Sequence, residues 1–224
     1  MAAVRKPLLI GFVALALVLL SSSVRGGERP QVPVRPGAPA VFHGDGDDRV
    51  AIAKEPGVGV VRFDCPQCTG NTVLRSDGPD GLLVNEIGPY RGKRWFDVRT
   101  GSRTTTLTVT ATGRWTLTIG GTDLAAVRAG HASGTGDDVL FLTELFRSAS
   151  VANSGEGNFV VHAVELGTGR MSLPVNRIGD YAGSVELRGP VLLQVRSAGS
   201  WTIDATATNT AATTKARPGF RDGP

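Results

Sequence analysis

"LVNEIGPYRG", Leu83 to Gly92, recurs as "PVNRIGDYAG", Pro174 to Gly183, with six of ten positions identical at an offset of 91. The echo extends in both directions. Upstream, "GDGDDRVAIA" from Gly44 matches "GTGDDVLFLT" from Gly134, and downstream "LTVTATGRWTLTI" from Leu107 matches "LQVRSAGSWTIDA" from Leu193. Asn71 and Asn158 open corresponding strands. Small changes of offset between strands are what loop-length variation leaves behind, so the chain reads as two copies of one unit. Their bounds are 43–121 and 131–205.

Each copy reads as β. In "TTTLTVTATGRWTLTI", Leu107, Val109 and Ala111 alternate with threonines, and then Trp115, Leu117 and Ile119 do the same. A period of two with β-branched residues marks half-buried strands. The "TGR" between them predicts a hairpin. "RVAIAK", "GVVRFD", "NTVLRS", "GLLV" and "RWFDVR" bring the total to some seven strands per copy, separated by Gly, Asp and Pro turns. The predicted fold is all-β: two tandem small antiparallel β-sandwiches, jelly-roll-like. "DLAAVRAGHA", which joins the copies, has room for one helical turn.

The flanks have a different composition. Met1–Gly26 places Arg5 and Lys6 before an apolar run from Pro7 to Leu20 and a small-residue exit, the layout of a signal peptide or of an uncleaved anchor. Residues 27–42 are proline-rich and predict a linker, and 206–224, rich in Thr and Ala, predict a disordered tail. The chain carries 24 basic and 20 acidic residues. Without the leader the balance is 21 to 20, so no basic face points to nucleic acid. The expected location is secreted or in the cell envelope, with membrane contact only through the N-terminal segment if it is not cut.

The repeated residues have a structural reading first. Trp115 and Trp201 are expected as core anchors. Asn85 and Asn176, ahead of Gly88 and Gly179, predict a turn in which Asn bonds backbone and Gly takes positive φ. Tyr90 and Tyr181 are expected to pack over that turn. The pattern Gly-x-Gly-Asp-Asp, Val-Asn-x-Ile-Gly-x-Tyr-x-Gly and Gly-x-Trp-Thr resembles the repeat of uncharacterised exported actinobacterial proteins. That resemblance implies an envelope or extracellular β domain and carries no activity with it.

Chemistry has few footholds. Cys65 and Cys68 are the only cysteines, in "RFDCPQCTGN". A redox C-x-x-C needs a helix N-terminus to acidify its thiol, and here a turn and a strand follow. Zinc would need ligands from His43, His131 and His162, which follow no metal spacing. A local disulfide fits an oxidising compartment. Asp45, Asp47 and Asp48, with Asp137 and Asp138, offer the clustered carboxylates that calcium takes, without an EF-hand's spacing, and are equally ordinary turn formers. No other cofactor is implied. Trp95 has no counterpart in the second copy and is expected to be exposed, where its ring would suit a sugar face. The leading reading is a non-enzymatic binding or structural module whose partner is an envelope protein or polysaccharide. The alternative is an envelope carbohydrate-binding or hydrolytic protein with its site between the repeats.

Overall fold

The computed structural model describes residues 32–34 and 37–207. The leader, and all of the predicted tail beyond its first two residues, lie outside them. The N-terminal half runs β1 (Val32–Val34), β2 (Ala40–Asp45), β3 (Asp48–Lys54), β4 (Gly59–Cys65), β5 (Asn71–Ser76), β6 (Leu82–Ile87), β7 (Tyr90–Phe96), β8 (Thr106–Thr110) and β9 (Arg114–Gly120). A 3-10 turn at Thr122–Leu124 leads to β10 (Ala126–Arg128), β11 (His131–Thr135), β12 (Asp138–Leu142), β13 (Phe146–Ser154), β14 (Asn158–Glu165), β15 (Met171–Ile178), β16 (Tyr181–Glu186), β17 (Val191–Arg196) and β18 (Ser200–Ala207). Among the described residues no helix is long and apolar enough to cross a membrane.

Both halves have the same strand order. Sheets β1-β3-β8-β5-β6 and β2-β9-β4-β7 face one another in the first, and β10-β12-β17-β14-β15 and β11-β18-β13-β16 in the second. Apart from the β5–β6 and β14–β15 hairpins, successive strands cross between the sheets in the way of a jelly roll. Each half buries its own core. Val61, Phe63, Leu107, Val109, Trp115 and Leu117 lie in the first, and Phe159, Val161, Leu193, Val195, Trp201 and Ile203 in the second.

Three expectations change. The predicted hairpin is an arch: β8 pairs with β3 and β5, whereas β9 pairs with β2 and β4. Alternation places Leu107 and Leu117 inward, which two facing sheets satisfy as well as two paired strands. Part of the predicted linker is structured, because Val32–Val34 pairs in parallel with Ile52–Lys54, and β10 repeats that pairing on β12. The strand predicted at "RWFDVR" begins earlier, at Tyr90, and ends at Phe96, before Asp97 turns to φ 57°.

The doubled motif closes one end of each sandwich. Gly44 lies opposite Trp115 in the ladder, and Gly134 opposite Trp201. A Cβ on Gly44 would fall 2.1 Å from the Trp115 ring, and one on Gly134 2.5 Å from Trp201. Each indole donates to the carbonyl two residues past that glycine, Trp115 Nε1 to Gly46 at 2.8 Å and Trp201 Nε1 to Gly136 at 2.9 Å. The next residue, Asp47 or Asp137, accepts the backbone N–H of Ala111 or Ser197 at 3.0 Å. Glycine, aspartate and tryptophan therefore form one latch between the β2–β3 turn and the β8–β9 arch, and its equivalent in the second half.

Near the latch the halves differ in means. Cys65 and Cys68 are joined, with Cα atoms 5.5 Å apart, and both are buried in the first core. Asn153 holds the ladder position of Cys65, paired with Tyr181 as Cys65 is with Tyr90. Its amide donates to Gly179 O at 3.0 Å and accepts from Ser197 Oγ at 2.7 Å. The ring opposite also changes sides. Phe63 on β4 stacks on Tyr90, whereas Phe159 on β14 stacks on Tyr181.

Gly44→Ala is expected to cost about 1–3 kcal/mol, the range for forcing volume into a packed site. Gly167→Ala, with nothing within 4 Å of its new Cβ, should stay within about 0.5 kcal/mol of the parent. Urea midpoints for both variants test this.

Candidate functional site at the junction of the sandwiches

The outer faces of the two halves are composed differently, and that decides where they meet. On β17, Val191 to Val195 are all buried, while the equivalent β8 alternates. β12 is likewise apolar on both faces, with Val139, Leu140 and Leu142 buried and Phe141 partly so. A strand buried on both sides needs a second layer outside it. β4 and β7 of the first half supply that layer. Val60 and Trp95 form a third apolar cluster with Ala125, Val139 and Leu192, against which Phe141 and Val164 also pack.

Trp95 is the centre of this junction. It is 6% exposed, its ring lies 6.3 Å from that of His162, and its backbone N–H donates to Gln194 Oε1 at 2.8 Å. The expectation of an exposed tryptophan is thus corrected. Trp95 faces away from its own core, and the second half covers it. Its ring is not available to stack on a sugar.

The rim is polar and centred on Asp137. One carboxylate oxygen holds Ser197 N–H, as the latch requires. The other accepts Tyr90 Oη at 2.9 Å and Arg94 Nη1 at 3.3 Å, both from the first half. Asp137 O accepts Lys93 N–H at 3.0 Å, which pairs the exposed edge of β7. Lys93 Nζ reaches Asp138 Oδ1 at 3.0 Å. Arg94 Nε is buried with no partner among the described residues. Burial lowers the basicity of Arg94 and raises the Tyr90 phenol, with Asp137 acting on both. Burial first, and then Asp137, raises the Glu86 carboxyl. Burial lowers His162, with Arg94 and Arg196 adding to the effect.

The remaining sequence candidates have structural places. Asp45 pairs with Arg114 at 3.8 Å, and Asp48 Oδ1 accepts the N–H of Arg49 at 2.7 Å. Asp47, Asp137 and Asp138 sit in the latch and rim. The two acidic turns belong to different halves, and among the described residues no three such side chains group as metal ligands. Asn85 and Asn176 are corrected from turn formers to exposed strand positions on β6 and β15. Gly88 and Gly179 do turn the chain, at φ 91° and 79°. Tyr90 and Tyr181 lie within strands and cover Gly92 and Gly183, whose added Cβ would fall 2.6 Å from the phenol oxygens.

One buried acid escaped the sequence reading. Asp97 bonds Thr104 N–H at 2.9 Å and pairs with Lys54 at 3.4 Å, which clips the β7–β8 loop to β3. A shallow hollow of about 450 Å³ lies over Ser133, Thr135, Asn153, Ser154, Trp201 and Thr202 of the second half. It is not at the junction, which side chains fill. No family model matches this chain, and no curated protein is detectably similar to it.

Trp95→Ala is expected to remove about 3–5 kcal/mol, as for other buried aromatic truncations. It should also split one calorimetric transition into two as the halves uncouple. An unchanged single transition would show that coupling lies elsewhere. His162 adds a pH dependence. Its folded-state value is depressed, so the unfolded chain takes up the proton first as pH falls. Stability is full above the unfolded value of about 6.5 and declines as pH drops below it. His162→Gln should flatten the urea midpoint between pH 7.5 and 5.

Proposed function

We infer that the chain is an exported, non-enzymatic binding or structural protein of the cell envelope or the extracellular space, built from two tandem sandwich repeats that act as one body. The leader pattern supports export, as does a disulfide in the place where the second half uses hydrogen bonds, since such bonds persist in oxidising compartments. The same resemblance, to exported actinobacterial repeat proteins, points the same way. The binding or structural reading is preferred to a site between the repeats because Trp95, Val60 and Leu192 pack together at the junction.

One observation carries the binding reading. Ile87 and Ile178 occupy equivalent strand ends and are 82% and 80% exposed. Each pairs across the ladder with an exposed asparagine, Asn71 or Asn158, and each has an exposed asparagine two residues earlier, Asn85 or Asn176. Core packing does not explain why both copies keep an isoleucine in water. A duplicated apolar contact for an envelope protein does, with an affinity gain from presenting it twice on one rigid body.

The test is retention of envelope extract on immobilised protein, with the double variant Ile87→Ser, Ile178→Ser as the matched control. Both positions are exposed, so the thermal midpoint should not move. The parent is expected to retain an envelope protein that the double variant loses and each single variant holds more weakly. Identical retention by parent and double variant would overturn the assignment.

A further inference from the structure

The junction joins unlike surfaces. The outer face of the first half's β2-β9-β4-β7 sheet meets the outer face of the second half's β10-β12-β17-β14-β15 sheet. A contact of that kind is heterologous rather than self-complementary, and its two complements remain free at the ends. Those complements are the outer face of β11-β18-β13-β16 and the outer face of β1-β3-β8-β5-β6. Their composition follows from the ladders. Glu186 lies opposite Ser148 as Trp95 lies opposite Val60. Arg49 and Arg75 flank Thr108 as Val139 and His162 flank Gln194.

We propose that the chain associates head to tail with further copies of itself, repeating the geometry of its internal junction. Charge complementarity replaces the apolar centre. Where Trp95 meets Val139 and His162 inside the molecule, Glu186 of one copy meets Arg49 and Arg75 of the next. All three are exposed, and Glu186 already holds Arg188 of its own copy at 2.7 Å, a pair that Arg49 and Arg75 of the next copy join. The rim is kept in part. Tyr181 holds the place of Tyr90. Asp47, whose inner oxygen serves its own latch, holds the place of Asp137 and is exposed. Val185 and Ser184 stand where Arg94 and Lys93 stand, so two donors to the acidic turn are missing. The contact between copies is therefore weaker than the junction and sensitive to salt, as exposed ion pairs are.

This deepens the structural-module reading and rests on it, but its test is separate from the envelope-retention test. Sedimentation of the purified full chain at rising concentration and low ionic strength should give a mass that climbs without stopping at a dimer. Raising salt to about 0.5 M should return it to the monomer, since the Debye length falls well below 10 Å. Glu186→Arg alone, and the pair Arg49→Glu, Arg75→Glu alone, should each stay monomeric with unchanged thermal midpoints. Mixing the two variants should restore association, because each supplies the face the other has reversed. A concentration-independent monomer mass for the parent would overturn the proposal, as would growth that Glu186→Arg leaves intact, or a mixture that stays monomeric. A monomer that still loses its envelope partner when Ile87 and Ile178 are changed would sink the assembly alone.

Discussion

An indole lying flat on a glycine organises each sandwich. Only a residue without Cβ leaves room for Trp115 over Gly44 or Trp201 over Gly134, and only a ring that large fills the space between the facing sheets there. The contact also sets the polar chemistry beside it. The indole N–H is buried, so it needs an acceptor, and the turn carbonyl two residues along provides one. The carboxylate that follows satisfies the arch on the opposite side. A glycine and an aspartate of one turn are thereby fixed to a tryptophan distant in sequence, which explains why both copies keep all three while their surfaces have drifted apart.

That drift is directional. In the first half the residues beyond β3 and β8 are Arg49, Thr106 and Thr108. In the second, the same positions hold Val139, Leu192 and Gln194. The second set is covered by the first half's β4 and β7, and the first set faces water. Duplication of a unit with two outer faces creates one internal contact and two ends, and each position has adjusted to whether it became inside or end. Asp137 is the most economical case. It retains the latch role of Asp47 with one oxygen and links the halves with the other.

Much of this was legible in the sequence and some was not. The strands with clean alternation, such as "TLTVT", were readable because one face is wet. β1 and β2 were hidden in proline-rich chain, where pairing with a neighbour rather than local preference makes the strand. The arch reads as a hairpin in the sequence because alternation tells which way a side chain points and says nothing about which strand lies beside it. Its own copy alone predicts an exposed Trp95, because the cover comes from the other copy. A clue was present even so. "VLFL" and "VLLQV" are apolar on both faces where their counterparts "RVAI" and "TTLTV" are not. That asymmetry locates a covered face without any structure.

The three tryptophans fall one to each apolar cluster: Trp115 in the first sandwich, Trp201 in the second and Trp95 at the seam between them. The molecule therefore carries a native fluorophore for every cooperative unit it contains. Single-tryptophan versions would report the melting of each half and the parting of the two as separate optical events. The nearby His162 ring adds a proton-sensitive quencher to the seam.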